Sequence, residues 1–221
     1  MRFDAVLFDC DGVLVDSEPI TNGLLRDMLA ELGWQLTPQE CMAHFVGKAV
    51  KDEADRIFQH TGFRVDEDWL AGFRARRNAA LVQHLQAIPD IHAAVDAVHT
   101  RLGGRLACAS GADRHKVELQ LHKVGLMPYF EQQIYSGHEM PRSKPSPDVY
   151  LAAAQGLGVL PGCCVVVEDT PTGVTAGVAA GAVVLAYAPA GGDDALRAAG
   201  AVICFQSMQQ LPALVAELLS S

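Results

Sequence analysis

The feature that most constrains the fold of this chain is a repeated alternation of short apolar runs with segments of helical periodicity. Buried strands are predicted at residues 5–8, 105–109, 133–135, 163–167, 182–187 and 201–205. Helical patterns separate them at residues 91–102, 113–124, 147–157, 172–180 and 208–219. This alternation is typical of βαβ units, so we predict an α/β fold with a Rossmann-like, mostly parallel sheet and helices on both faces.

One long stretch, residues 16–87, interrupts the alternation because it contains helical periodicity and no run typical of a buried strand. One amphipathic stripe in it ends at Gly33 and consists of Leu24, Leu25, Met28, Leu29 and Leu32. We therefore predict an all-helical cap at residues 16–87, inserted into an α/β core formed by residues 1–15 and 88–221. The alternative is that these helices simply pack on the sheet. Three arginines of the segment are interpreted as a solvated helix face: Arg74, Arg76 and Arg77.

Charge and hydropathy exclude several classes of partner. The formal net charge of -9 repels a polyphosphate backbone, so nucleic acid is not an expected partner. No apolar stretch reaches the roughly 20 residues that a membrane-spanning helix needs, and no membrane association is expected. Asp4 and Asp9 interrupt the first apolar segment, which is unlike a signal peptide. We expect a cytoplasmic, monomeric protein that can still bind small anions in a local pocket.

The chemistry-bearing motif with the clearest placement is Asp9-Cys10-Asp11-Gly12, which follows the first predicted strand. Ligands of open α/β sheets bind at the carboxyl ends of the strands. Two carboxylates separated by one residue can therefore enter the same pocket, one as a nucleophile and the other as a proton carrier. The tetrapeptide by itself is also compatible with an ordinary solvated turn.

Three further polar groups follow other predicted strands. Ser110 and Gly111 come after the strand at 105–109, and their hydroxyl and backbone N–H groups suit a phosphoryl oxygen. Lys144 offers a point charge in a proline-rich loop. Glu168 and Asp169 follow the strand at 163–167 and add a second acidic pair. Carboxylates and a carbonyl at one sheet edge form a hard oxygen site that suits Mg²⁺.

In this order along the chain, these residues resemble the four motifs of the haloacid dehalogenase superfamily. The resemblance extends from Phe8 to the strand near Ala182 and is to the branch of phosphatases and phosphomutases that carries a helical cap after the first strand. It implies that Asp9 is the nucleophile and Asp11 the general acid and base. It also implies that the phosphoryl group is bound by Ser110, Gly111 and Lys144.

The same resemblance implies a bound Mg²⁺ cofactor. Asp9, Asp169 and the backbone carbonyl of Asp11 would hold the ion, and Glu168 would assist directly or through water. An ordinary aspartate has a pKa of about 3.9, so Asp9 is expected to be ionised at neutral pH. Asp11 must instead hold a proton to release an alkoxide leaving group, which requires a raised pKa.

The resemblance further implies a Mg-dependent phosphomonoesterase that hydrolyses a small phosphorylated metabolite through an aspartyl-phosphate intermediate. The local sequences around Asp9 and Lys144 are similar to those of phosphatases acting on sugar acids, which favours a sugar or sugar-acid phosphate such as 6-phosphogluconate as the substrate. In the cap, Glu18 and Lys48 are the candidate substrate-binding residues.

Other functions remain open from the sequence. Sugar phosphomutases of the family carry a histidine where this chain has Thr21 and a basic residue where it has Val46, which disfavours a mutase. Asp11 disfavours the metal-independent dehalogenases, which lack an aspartate there. A signalling receiver domain is disfavoured by the large helical insert, and a non-catalytic phosphometabolite-binding protein is a further alternative.

Overall fold

The computed structural model describes residues 3–46 and 48–220. The chain divides into two compact units, of which Ser17–Leu85 forms one and the segments on either side of it form the other. The two chain segments that lead to the helical unit run side by side at their ends. Val15 and Ala87 form an antiparallel bridge, and the Asp16 N–H donates to the Gln86 carbonyl over 3.0 Å. The helical segment thus lies between two chain segments of the other unit, and its action as a cap stays a prediction.

The described residues of the smaller unit contain helices and no strand. The helices are α1 (Glu18–Glu31), α2 (Pro38–Phe45), α3 (Ala54–Thr61) and α4 (Glu67–His84), with a 3-10 turn at Val50–Glu53. Thr37 and Glu40 form a reciprocal capping box at the start of α2. The predicted amphipathic stripe supplies part of the core, which consists of Leu25, Met28, Leu29, Trp34, Cys41, Phe45, Ile57 and Phe73.

One of the three arginines predicted to face solvent does not do so. Arg77 is buried in α4, lies 5.9 Å from the centroid of the Phe73 ring and donates to the side chain of Asn78 over 2.9 Å. Arg76 is exposed and pairs with Glu31. The prediction was wrong for Arg77 because a long side chain can bury its stem against an aromatic neighbour on the same helix, which charge alone does not reveal.

The larger unit is built on a six-stranded sheet in the described part of the chain. The strands are β1 (Ala5–Phe8), β2 (Leu106–Ser110), β3 (Ile134–Ser136), β4 (Cys164–Glu168), β5 (Val183–Tyr187) and β6 (Ile203–Phe205). Their order is β3-β2-β1-β4-β5-β6, and every neighbouring pair is parallel. The predicted Rossmann-like parallel sheet is therefore confirmed. The chain order reverses on either side of β1, which makes the end of β1 the switch point where ligands of such sheets bind.

Helices cover both faces of this sheet. They are α5 (Ile91–Leu102), α6 (Arg114–Lys123), α7 (Met127–Phe130), α8 (Asp148–Gly156), α9 (Pro171–Ala179), α10 (Asp194–Ala198) and α11 (Leu211–Ser220), with 3-10 turns at Gly137–Glu139, Pro161–Cys163 and Met208–Gln210. Leu7 of β1 belongs to a buried cluster with Val149 of α8 and Val174 of α9. Phe8, whose side chain points to the other face, contacts the Phe130 ring of α7. Within the described residues, no helix has both the length and the apolar character to cross a membrane.

Candidate active site

The predicted core residues of the site all lie at the carboxyl ends of parallel strands. Asp9 directly follows β1, Ser110 ends β2, and Glu168 ends β4. Lys144 lies in the loop between β3 and α8, and Asp169 follows β4. Register brings the ends of β1 and β4 together, because Phe8 of β1 pairs with Val167 of β4, one residue before Glu168. The sheet thus delivers the acidic residues to one edge, as the sequence predicts.

The ammonium of Lys144 ties three buried groups together. Its Nζ donates to Oδ1 of Asp9 over 2.8 Å and to Oε1 of Glu168 over 2.7 Å. A third contact, 2.9 Å long, joins it to the Tyr150 hydroxyl. Tyr150 in turn donates to Oε1 of Glu168 over 2.8 Å. Asp9 and Glu168 are buried, so this cation offsets the desolvation of two carboxylates.

Glu168 uses both of its oxygens within the protein. Oε1 accepts from Lys144 and Tyr150. Oε2 accepts from the backbone N–H of Asp169 over 2.9 Å and from the backbone N–H of Thr170 over 3.1 Å. The Thr170 hydroxyl adds a contact of 3.2 Å to the same oxygen. The side chain of Glu168 is therefore fixed in orientation before any ligand binds.

The pKa values of this cluster follow from burial and charge. Burial raises the pKa of Asp9 from 3.8 to about 7; Lys144 acts in the opposite direction, and the charges of Glu168 and Asp11 raise it. Burial also raises the pKa of Glu168, but Lys144 and the hydrogen bonds to its oxygens hold it below its ordinary value. Burial lowers the pKa of Lys144, yet the charges of Asp9 and Glu168 outweigh it and raise that pKa well above its usual range. The ordinary pKa that the sequence suggests for Asp9 therefore does not hold in this environment.

Three carboxylates are grouped closely enough to hold one cation. Among the described residues, oxygens of Asp9, Glu168 and Asp169 lie within 4.8 Å of one another. Gly12 makes room for one of them, because a Cβ built there would lie 2.6 Å from Cγ of Asp169 and would overlap its Oδ2. The backbone of Gly12 has φ +78°, a conformation that side-chain-bearing residues rarely adopt. This glycine thus allows the Asp169 carboxylate to approach the turn that follows Asp9.

The carboxylate of Asp11 is held by different residues from that of Asp9. Lys116 Nζ donates to both oxygens of Asp11, over 2.9 and 2.8 Å. Gln120 Nε2 donates to Oδ1 over 2.7 Å. Both partners belong to α6 and are buried. The two aspartates of the motif therefore have separate lysine partners, Lys144 for Asp9 and Lys116 for Asp11.

The loop after β2 and the loop after β3 approach each other closely at Ser110 and Gly111. The buried Ser110 hydroxyl accepts from the Ala112 N–H over 3.1 Å, which fixes its oxygen in a tight turn. A Cβ on Gly137 would lie 3.1 Å from Cα of Gly111, so these backbones nearly touch. Ser136 strengthens the contact because its hydroxyl donates to the Ala112 carbonyl over 2.7 Å. A phosphate-binding role for Ser110 and Gly111 stays a prediction.

Glu18 and Lys48 lie in the helical unit, apart in sequence from the residues above. Glu18 begins α1, and its carboxylate accepts from the side chain of Asn22. Lys48 Nζ pairs with Glu53 over 3.0 Å and donates to the His44 carbonyl over 3.0 Å. Contact of these two residues with a substrate stays a prediction.

Sequence reasoning missed three buried polar residues that hold the predicted ones: Tyr150, Lys116 and Gln120. The sequence does not reveal the polar role of Tyr150, because an aromatic residue in α8 fits an ordinary core position. Lys116 and Gln120 carry a weak signal, since an i, i+4 spacing places two polar residues on one face of α6. Their buried neighbours Val117 and Leu121 show that this face points inward.

Comparisons with known proteins agree with this geometry. Residues 3–181 match the model of a hydrolase family described as haloacid dehalogenase-like hydrolase. The chain is 29% identical to the 6-phosphogluconate phosphatase of Escherichia coli K12, over 81% of this chain and 80% of that protein. It is 33% identical to hexitol phosphatase A of the same organism, over 86% of both chains.

A solved structure is similar over nearly the whole length. It is a HAD family hydrolase from Deinococcus radiodurans R1 with bound phosphate and sodium, 37% identical, with a TM-score of 0.79. The match covers 98% of this chain and 96% of that one. The resemblance and the phosphatase class predicted from the sequence are thereby confirmed, and the chain belongs to the haloacid dehalogenase-like hydrolase family.

Proposed function

We propose that this protein is a magnesium-dependent phosphomonoesterase that hydrolyses a sugar or sugar-acid phosphate through a phosphorylated Asp9. The observation that carries the proposal is the buried Asp9 carboxylate at the switch point of the sheet, paired with Lys144 and grouped with Glu168 and Asp169. A carboxylate placed there has a nucleophilic oxygen, a neighbouring cation for an anionic ligand and further carboxylates for a metal ion.

The first half-reaction transfers the phosphoryl group to the protein. One oxygen of Asp9 forms a bond to phosphorus, the ester P–O bond breaks, and the departing alkoxide takes a proton from Asp11. In the second half, a water oxygen attacks phosphorus, Asp11 accepts the proton of the water, and the bond between Asp9 and phosphorus breaks. Both halves bring anions together, and Lys144 stabilises the developing charge because its ammonium already lies 2.8 Å from Asp9.

The acidic cluster fits a divalent cation in charge and in chemistry. Asp9, Glu168 and Asp169, when ionised, carry three negative charges, and Lys144 supplies one positive charge, so the group as a whole has charge -2. Carboxylate oxygens are the hard ligands that Mg²⁺ prefers. We propose that Asp9, Asp169 and the backbone carbonyl of Asp11 hold the ion. When bound, the ion offsets the repulsion between the phosphoryl oxygens and the attacking carboxylate.

Glu168 has an indirect role in this proposal. Its two oxygens already accept five hydrogen bonds within the protein. A carboxylate so occupied holds Lys144 and the Asp169 backbone in place, and it would assist in holding the ion through water. The similarity to a 6-phosphogluconate phosphatase and to a hexitol phosphatase supports the substrate class. Glu18 and Lys48 of the helical unit are proposed to contact the part of the substrate that leaves.

The test is release of inorganic phosphate from sugar phosphates, sugar-acid phosphates and hexitol phosphates. Each is assayed with Mg²⁺, with a chelator, and with Asp9→Asn protein. Asp96→Asn is the matched control, because Asp96 lies on the exposed face of α5 in the same unit. We expect release that requires Mg²⁺, is abolished in Asp9→Asn and is unchanged in Asp96→Asn.

Retention of near-normal release by Asp9→Asn overturns the mechanism. Absence of release from every ester, together with isomerisation of a sugar phosphate in the presence of a sugar bisphosphate, overturns hydrolysis in favour of a phosphomutase.

A further inference from the structure

The side chain of Asp11 is held by two residues that no motif of the sequence pointed to. Lys116 contacts both carboxylate oxygens, and Gln120 adds a third contact of 2.7 Å to Oδ1. These residues are 105 and 109 positions away from Asp11 in the sequence. Three hydrogen bonds from two donor groups define the orientation of this carboxylate about both of its side-chain torsions.

Both residues that hold the Asp11 carboxylate are buried. Lys116 is 7% exposed and Gln120 is 0% exposed, so neither amine nor amide can exchange its contact for bulk water. An ammonium is rarely buried unless a carboxylate compensates it. Asp11 is the carboxylate that does so here, at 2.8 Å.

The position of Lys116 in its helix is unfavourable without Asp11. Asp113 is the N-cap of α6 and accepts from the Lys116 backbone N–H over 2.9 Å, which places Lys116 at the third helical position. Cations are disfavoured in the first turn because the N–H groups there already carry a positive partial charge. The negative charge of Asp11 offsets both this interaction and the burial of the ammonium.

Gln120 is fixed at both ends of its amide. Its nitrogen donates to Asp11, and its oxygen lies 3.4 Å from the Cys10 sulfur, from which it accepts. This pair of partners sets the amide orientation, because the reversed amide would face Asp11 with an acceptor. The side chains of Cys10 and Asp11 are thus both hydrogen-bonded to α6.

We propose that Lys116 and Gln120 are positioning residues that set the orientation in which the Asp11 carboxylate exchanges protons during the reaction. The inference rests on the proposed function, in which Asp11 protonates the leaving alkoxide and later accepts a proton from water. Lys144 fixes the nucleophile, and the α6 pair fixes the proton carrier, so each aspartate has its own support. Since a shift of about 1 Å in a reacting group can lower a rate about 100-fold, support of this kind affects kcat more than KM.

The variants are Lys116→Met and Gln120→Met, which remove the donor; methionine matches glutamine in length and is one atom shorter than lysine. Lys123→Met is the matched control, because Lys123 lies on the same helix, carries the same charge and is exposed. Turnover is measured with an alkyl phosphate substrate of the wild type and with p-nitrophenyl phosphate, whose leaving group needs little protonation. Asp11→Asn and the double variant Asp11→Asn/Lys116→Met complete a cycle.

We expect Lys116→Met to lower kcat for the alkyl phosphate about 10- to 100-fold, with a smaller loss for p-nitrophenyl phosphate and little change in KM. Gln120→Met lowers it less, and Lys123→Met leaves it unchanged. The double variant is no slower than Asp11→Asn alone, because Lys116 acts only through Asp11.

Additive losses in the double variant, or equal losses for the two leaving groups, overturn the positioning role while the wild-type activity stands. Absence of any phosphate release by the wild type overturns the proposed function instead. If Lys116→Met does not fold, the cycle is made instead from Gln120→Met, Asp11→Asn and the double variant Asp11→Asn/Gln120→Met, and Gln120→Met supplies the leaving-group comparison.

Discussion

Substitution of Gly12 by alanine tests the link between the turn after Asp9 and the acidic cluster. Gly12 has φ +78°, and an added Cβ would lie 2.6 Å from Cγ of Asp169. The backbone conformation alone costs about 1–2 kcal/mol for an L-residue. Displacement of the Asp169 carboxylate adds an overpacking cost of about 1–3 kcal/mol. We therefore expect Gly12→Ala to lower the free energy of unfolding by about 2–5 kcal/mol.

Gly103→Ala separates the two contributions. Gly103 lies in the same unit with φ +59°, and a Cβ there meets nothing within 4 Å. It should show the backbone cost only, about 1–2 kcal/mol, which corresponds to about 2–4 °C in Tm for each kcal/mol in a protein of this size.

The assay is thermal unfolding with and without Mg²⁺, together with phosphate release. A ligand at 100 times its Kd stabilises the folded state by about 2.7 kcal/mol, and Gly103→Ala should retain this gain. Gly12→Ala should lose this stabilisation by Mg²⁺ because Asp169 is displaced. For the same reason its turnover should fall at least about 100-fold. Equal destabilisation of the two variants, with stabilisation by Mg²⁺ retained in Gly12→Ala, would show that Gly12 does not make room for the Asp169 carboxylate.

Two further substitutions test the network around Lys144. Gly173→Ala places a Cβ on the carboxylate of Glu168, so we expect a loss of about 1–3 kcal/mol and lower turnover. Gly72→Ala, in open space on α4, should instead stabilise the helix by about 0.5–1 kcal/mol, and stabilisation by both variants in thermal unfolding would contradict the clash. Tyr150→Phe removes two hydrogen bonds to charged groups and should cost about 1.5–3 kcal/mol in denaturant unfolding. Tyr129→Phe, which loses one exposed hydrogen bond, should change stability by about 0.5 kcal/mol or less, and similar losses in the two variants would speak against the buried network.

The sheet and the position of the motifs were predictable from the sequence because they depend on local patterns. A parallel strand buried on both faces is a continuous apolar run, as in β1 and β4, and the polar residue that ends the run marks the sheet edge. Asp9, Ser110 and Glu168 could therefore be placed at that edge before any contact was known. The helical insertion was predictable for the same reason, since its periodicity differs from that of the flanking segments.

The electrostatics of the site were not predictable because they depend on contacts between distant segments. The raised pKa of Asp9 follows from burial by the whole fold, and no local pattern encodes burial of one particular carboxylate. In the sequence, Lys116 cannot be distinguished from a surface charge, nor Tyr150 from a core aromatic residue. Only the fold brings Lys116 to Asp11 and Tyr150 to Glu168. Arg77 shows the converse error, in which a charged residue predicted to be solvated is buried against Phe73.

The most direct test of catalysis through a phosphorylated Asp9 is to trap the phosphorylated protein during turnover. The enzyme is mixed with a substrate that it hydrolyses and Mg²⁺, quenched in acid and reduced with borohydride, and the modified residue is located by mass spectrometry. We expect an acyl phosphate on Asp9 that forms and decays at rates consistent with kcat and is absent from Asp9→Asn. Phosphate release at the same rate with no acyl phosphate on Asp9, or with the phosphoryl group on another residue, would contradict this mechanism.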